Sequence, residues 1–128
     1  MLKKAKHAKE ASLKLATLST KIKNKALMKI ANSLKRHSNL ILKANKKDVE
    51  NAKKLMLKES LLKRLILDDN KVQEMIEEIK SVARLEDPVG KILSQVELDD
   101  GLMLYQVTCP IGVIGAIFES RPDAVPQI

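Results

Sequence analysis

Small and apolar positions recur at three- and four-residue spacing near the start of the chain: Ala5, Ala8, Ala11, Ser12, Leu15 and Leu18. That period puts them on one narrow helix face, whose small side chains let a neighbour approach closely. Ser19-Thr20 supplies a cap for a second helix, which carries Leu27, Ile30, Leu34 and Ile41 on one stripe and runs to about Ala44. Asn45 is expected to end it, and Asp48 to cap a short third helix reaching about Leu55. A further short helix is predicted over residues 60–67. Asn70 with Gln73 resembles a capping box for a helix bearing Val72, Met75, Ile76, Ile79, Val82 and Ala83.

The period then changes. Asp87-Pro88-Val89-Gly90 has turn chemistry, since Pro fixes φ and Gly permits positive φ. Residues 91–98 read as a strand, Asp99-Asp100-Gly101 as a hairpin turn, and residues 102–108 as the returning strand. Pro110-Ile111-Gly112 breaks that ribbon, and Val113-Ile114-Gly115-Ala116-Ile117-Phe118 follows as a continuous apolar run. A run without alternation is what a strand buried on both faces requires, as in a parallel sheet covered by helices. Glu119-Ser120-Arg121-Pro122-Asp123 leaves its carboxyl end, and residues 124–128 can start a helix. The fold class is therefore α/β. A parallel strand also needs a crossover and a partner. The pattern offers neither, so the run stays exposed or takes its neighbours from elsewhere.

Composition narrows the picture. At 128 residues, 45% apolar and 31% charged, the chain is globular and long enough for one core. Tyr105 and Phe118 are its only aromatics, so the core draws on Leu, Ile, Val, Ala and Met. The single cysteine, Cys109, excludes an internal disulfide or a cysteine-built zinc site and suits a reducing compartment. No apolar run approaches the roughly 20 residues of a membrane span. The basic opening Met1-Leu2-Lys3-Lys4-Ala5-Lys6 leads into no apolar signal-peptide core. A cytoplasmic location is expected.

The net charge of +8 is uneven. Residues 1–64 hold 19 basic and 4 acidic side chains, whereas residues 65–128 hold 5 and 12. A basic first half admits an alternative reading, a helical nucleic-acid-binding or interaction module. The lysines are dispersed around the helices, which suits a solvated surface better, and stacking aromatics for single strands are lacking. No specific nucleic-acid partner is expected.

The candidate chemistry lies in residues 110–123. Ligands of open α/β sheets sit beyond the carboxyl ends of the strands, and Arg121 there offers a planar fork suited to carboxylate or phosphate. The alternative is a surface Arg121 paired with Glu119 or Asp123. Gly112 and Gly115 precede the strand core and read as packing or turn glycines. Cys109 reads as a small, buried or half-buried apolar residue, with no basic neighbour in sequence to activate it. His7 and His37 lack paired acids and metal-ligand spacing, so no metal site is expected.

Residues 110–123, with Asp87-Pro88-Val89-Gly90, Asp100-Gly101-Leu102 and Ile41-Leu42-Lys43-Ala44-Asn45-Lys46-Lys47-Asp48, resemble the glutamate-5-semialdehyde dehydrogenases. These are also called γ-glutamyl phosphate reductases, of the aldehyde dehydrogenase superfamily. Phe118-Glu119-Ser120-Arg121-Pro122-Asp123 carries most of that resemblance, which extends along the whole chain. The resemblance implies an aldehyde-dehydrogenase-like α/β fold, of which this chain is the amino-terminal part. Residues 1–86 would be the helical segment of the cofactor domain, 87–109 the hairpin of the oligomerisation region, and 110–128 the first strand and loop of the dinucleotide-binding sheet. It implies NADPH-dependent reduction of L-glutamyl 5-phosphate to L-glutamate 5-semialdehyde in proline biosynthesis. Backbone at Phe118, Glu119 and Ser120 would pass beside NADP, while Arg121 and Asp123 would face substrate. The catalytic cysteine is expected downstream of residue 128, leaving this stretch inactive alone. Where the superfamily places an oxyanion-donating Asn, this chain has Asp123, whose ionised carboxylate cannot donate. Accepting from a substrate ammonium or a nearby amide suits it better. Partners implied are a second copy through the 91–108 hairpin, or a complementary carboxy-terminal chain.

Overall fold

The structure, a computed structural model, describes residues 2–128. The element order is α1 (Leu2–Ala16), α2 (Thr20–Arg36), α3 (Ser38–Lys54), α4 (Glu59–Leu65), α5 (Asp69–Val82), β1 (Ile92–Asp99), β2 (Leu102–Val107) and α6 (Ala124–Gln127). The chain is α/β, as its pattern predicts. Its contacts divide it into two units. One comprises the residues up to Thr20 with Glu86–Gly115, and the other Lys21–Leu85 with Ala116–Ile128.

The second unit holds the core. Val72, Ile76 and Ile79 recur on one face of α5 and bury against Ala31 of α2, with Leu27, Leu34 and Leu42 packed around them. The expected α5 face is therefore correct except at Val82, which is exposed. On α2 the small Ala31 occupies the centre, and Ile30 faces water instead. A methyl-sized side chain there lets the two helices approach closely.

The boundary between α2 and α3 differs from expectation. The helix does not end at Asn45. It breaks at His37, where φ −102° and ψ 10° leave helical values for one residue. The His37 ring nitrogen Nδ1 lies 2.8 Å from the Ser33 carbonyl oxygen and covers one terminal acceptor of α2. Asn45 lies within α3 because its amide has tertiary partners. Nδ2 donates to the Leu65 carbonyl at 2.7 Å, and Oδ1 accepts from the Leu67 N–H at 2.8 Å. Asp48 also lies inside α3 and caps nothing. That helix ends in a left-handed cap at Met56, φ 52°. Leu57 N–H donates to the Ala52 carbonyl and Met56 N–H to the Lys53 carbonyl, both at 3.0 Å.

The α5 cap also shifts. Asp68, not Asn70, is the N-cap, and its Oδ1 accepts from the Lys71 N–H at 2.8 Å. Gln73 donates to Glu77 one turn on instead of reaching back. Asp68 takes the position because its backbone is already extended (φ −129°, ψ 177°) on leaving Leu67.

In the first unit, β1 and β2 form an antiparallel ribbon in which Val96 faces Leu104 and Gln95 faces Tyr105. Gly101 takes φ 75° in the turn, a conformation glycine adopts without strain. The open end is fixed at Thr108. Its N–H donates to the Lys91 carbonyl at 3.0 Å, and its hydroxyl donates to the Pro88 carbonyl. Thr20, expected to cap α2, instead donates its hydroxyl to Asp87 at 2.9 Å. The predicted face of α1, including Ala8, Ala11, Ser12 and Leu15, borders a shallow groove of about 530 Å³ completed by Gly112 and Val113.

Residues 113–118 are not a strand in this chain. They carry no regular secondary structure and lie exposed. The cause is the one the pattern anticipates: a parallel-sheet strand needs neighbours, and the only sheet among the described residues is the β1–β2 ribbon.

Candidate functional site

The expected site residues lie on one short bend ahead of α6. Phe118 and Glu119 are exposed, and Ser120 is half-buried. Ser120 has φ 53°, a left-handed conformation that is costly for a residue with a Cβ and that reverses the chain sharply. Arg121 and Asp123 follow the bend. The Ala124 N–H donates to the Arg121 carbonyl at 3.1 Å and closes a turn around Pro122-Asp123.

Arg121 is engaged within the chain. Its Nη2 lies 3.6 Å from Asp123 Oδ2 and 3.4 Å from Gln127 Oε1. Gln127 Nε2 in turn donates to Glu78 Oε1 of α5 at 3.4 Å. These long contacts tie the bend and α6 to α5. Of the two expected partners, Arg121 pairs with Asp123. The guanidinium is still exposed enough to present donors outward. Asp123 Oδ1 is buried and has no hydrogen-bond partner among the described residues. A buried carboxylate oxygen without a donor is an acceptor awaiting one. An ionised carboxylate at Asp123 accepts hydrogen bonds and has no proton to offer.

Residues 118–120 form an open bend and line neither the α1 groove nor the second groove of about 430 Å³ beside Asn45, Asp68 and Asp69. The helix that follows the bend, α6, has four residues. Cys109 is exposed and not buried or half-buried as expected, because the segment after β2 has no regular structure to cover it; it belongs to the first unit, whereas the bend belongs to the second. No helix among the described residues is long and apolar enough to cross a membrane.

Sequence reading missed Glu78 and Gln127, which support the bend, and the tertiary role of Asn45. Nothing in a helical period marks a surface Glu or Gln as a tie. A signal for Asn45 was present, since a weak helix former inside a strong amphipathic pattern calls for a reason.

Comparison with known proteins shows what the chain is similar to. No family model matches the chain. It is 56% identical over 124 residues to the gamma-glutamyl phosphate reductase of Pelotomaculum thermopropionicum, covering 97% of this chain and 29% of that protein. It is 54% identical to the enzyme of that name from Acetivibrio thermocellus, covering 94% and 28%. Its homologues are the gamma-glutamyl phosphate reductases. Solved structures agree. The Thermotoga maritima gamma-glutamyl phosphate reductase superposes with a TM-score of 0.94 at 44% identity, covering 98% of this chain and 30% of its own. The Saccharomyces cerevisiae gamma-glutamyl phosphate reductase gives 0.91 at 48%, covering 96% and 31%. The chain thus spans under a third of the length of the reductases it matches, and over that span it keeps their backbone path.

Proposed function

We propose that this chain serves as the amino-terminal part of a cytoplasmic reductase of proline biosynthesis. The reductase converts L-glutamyl 5-phosphate to L-glutamate 5-semialdehyde and releases phosphate. The carrying observation is 56% identity over 124 residues, a span that takes in nearly the whole chain. NADPH supplies the hydride when bound, in a site that residues 118–120 complete but do not form alone. Their part is to pass main chain beside the cofactor, with the left-handed Ser120 turning the chain away.

In this reading Arg121 meets the anionic substrate, held ready by Asp123 and Gln127. Asp123 accepts through Oδ1 from the substrate ammonium or a neighbouring amide. The acyl transfer needs a positioned thiolate. Cys109, on the other unit, is not assigned that part, which falls to a cysteine outside these residues. The assembly is a homo-oligomer built through the 91–108 hairpin, or a complex with a complementary carboxy-terminal chain.

The test is a chimera of the Pelotomaculum thermopropionicum relative in which its matching 29% is replaced by this chain. The chimera is expected to oxidise NADPH in the presence of glutamyl phosphate, and residues 1–128 alone to show no turnover. A folded chimera without activity would sink the reading.

A further inference from the structure

Arg121 is held from one side only. Both of its side-chain contacts fall on Nη2, which lies 3.6 Å from Asp123 Oδ2 and 3.4 Å from Gln127 Oε1. Among the described residues no hydrogen bond reaches Nη1 or Nε. A guanidinium carries its N–H donors in one rigid plane, so holding Nη2 from two acceptors also aims the other nitrogens. The side chain is 46% exposed, which leaves those donors open to a ligand.

Gln127 is itself oriented from its far side. A carboxamide has an acceptor at one end and a donor at the other, and a guanidinium needs the acceptor. At 3.4 Å the contact with Arg121 is long and sets that orientation only weakly. Glu78 supplies the second constraint, because a carboxylate only accepts when ionised. Its Oε1 lies 3.4 Å from Gln127 Nε2 and takes the donor end, which turns Gln127 Oε1 to Arg121. Glu78 is a firm post for this task, since it stands on α5 between Ile76 and Ile79, both buried in the core. Its own side chain is exposed, so core packing does not explain an acid at this position. Glu78, Arg121, Asp123 and Gln127 all belong to one unit of the chain.

We propose that Glu78 is a positioning residue for Arg121. It takes the donor end of the Gln127 amide, turns the acceptor end to Arg121, and so aims Nη1 and Nε at the anionic substrate. Its role rests on the reading that Arg121 meets that substrate, and Glu78 itself touches none. A plain tie between α5 and α6 is the competing account, and one substitution separates the two.

Glu78→Lys keeps a partner for Gln127 but reverses the amide, because an ammonium only donates and draws Oε1. Arg121 then faces the Nε2 end. In the chimera with the Pelotomaculum thermopropionicum relative, Glu78→Lys should raise the KM for glutamyl phosphate by about tenfold, with kcat little changed. A plain tie predicts no rise, and added positive charge alone would attract the anion and lower KM. Adding Gln127→Glu offers acceptors to both the new ammonium and Arg121, so the double variant should bring KM back to within about threefold of the parent. Thermal unfolding checks that both variants are folded, as the exposed site allows. In the 128-residue chain itself, nitrogen NMR of the Arg121 side chain needs no turnover. Rotation of its guanidinium about Cζ–Nε should quicken by about threefold in Glu78→Lys and slow again in the double variant.

A KM that stays or falls in an active Glu78→Lys chimera overturns the inference, and so does a raised KM that the second substitution fails to lower. A parent chimera without turnover sinks the proposed function alone. The rotation of Arg121 then decides whether Glu78 holds it, and an unchanged rate overturns the inference as well.

Discussion

Asn45 and Leu67 are 22 residues apart in sequence, yet the Leu67 N–H donates to Asn45 Oδ1 at 2.8 Å in a buried site. The same amide donates to the Leu65 carbonyl. One side chain of α3 thus satisfies two backbone groups where α4 ends and the chain leads into α5, and at 6% exposure it is the buried polar residue among those described.

Removing that amide leaves one buried and one part-buried backbone group without this partner. Asn45→Ala should therefore lower stability by about 2–3 kcal/mol, more than a typical surface change. Denaturant unfolding followed by helix signal measures it. A loss below about 0.5 kcal/mol would mean that water replaces the amide at no cost.

Met56 holds φ 52° and is 85% exposed, so the αL cap of α3 uses a residue with a Cβ and wins little burial in return. Met56→Gly should relieve the strain and raise stability by about 0.5–1 kcal/mol despite the greater freedom of the unfolded chain. A rise in the thermal midpoint is the expected result, and a fall would show that the Met56 side chain has a contact worth keeping.

Lys80 donates to Glu77 at 2.8 Å and holds the Glu77 carboxyl below its ordinary value of 4.5. Arg84 and Gln73 act in the same direction, and desolvation opposes. A depressed carboxyl contributes stability above the unfolded value and loses it as pH falls through the folded one. Glu77→Gln should therefore be less stable than the parent near pH 7, with the gap closing below about pH 4.5. Lys80→Met should move the Glu77 titration upward, read by carbon NMR of the carboxyl. An unmoved midpoint would show that the pair is broken in solution.

Within the active chimera, Asp123→Asn separates two roles. If Asp123 accepts from a substrate ammonium, the change raises KM by about tenfold with kcat less affected. A donor to an oxyanion would behave oppositely, with Asn raising kcat. Steady-state kinetics with varied glutamyl phosphate discriminates, and a raised kcat would refute the accepting role.

The sequence made α5 and the hairpin legible because each fulfils its period locally. Val72, Ile76 and Ile79 find Ala31 and Leu34, and Asp100-Gly101 turns as such pairs do. The α2–α3 boundary was not legible, because what keeps Asn45 helical lies 20 residues downstream at Leu65. The cap at Asp68 depends on the path out of Leu67, which the same contact fixes. Residues 113–118 carry the pattern of a buried strand, but no other strand pairs with them among the described residues. At the candidate site, the Arg121–Asp123 pairing was readable from spacing, whereas the tie through Gln127 to Glu78 needed the three-dimensional return of the chain to α5.

The β1–β2 ribbon has no dry side. Val96 and Leu104 meet across one face, Tyr105 and Met103 lie on the other, and all but Met103 are open to water. Its shape is therefore set from its two ends, by Gly101 at the tip and by Thr108 clasping Pro88 and Lys91 at the base. A ribbon clamped this way is mechanically defined before anything touches it. A newly made chain can thus present a finished template early, together with the hazard of sticking to the wrong surface while it waits.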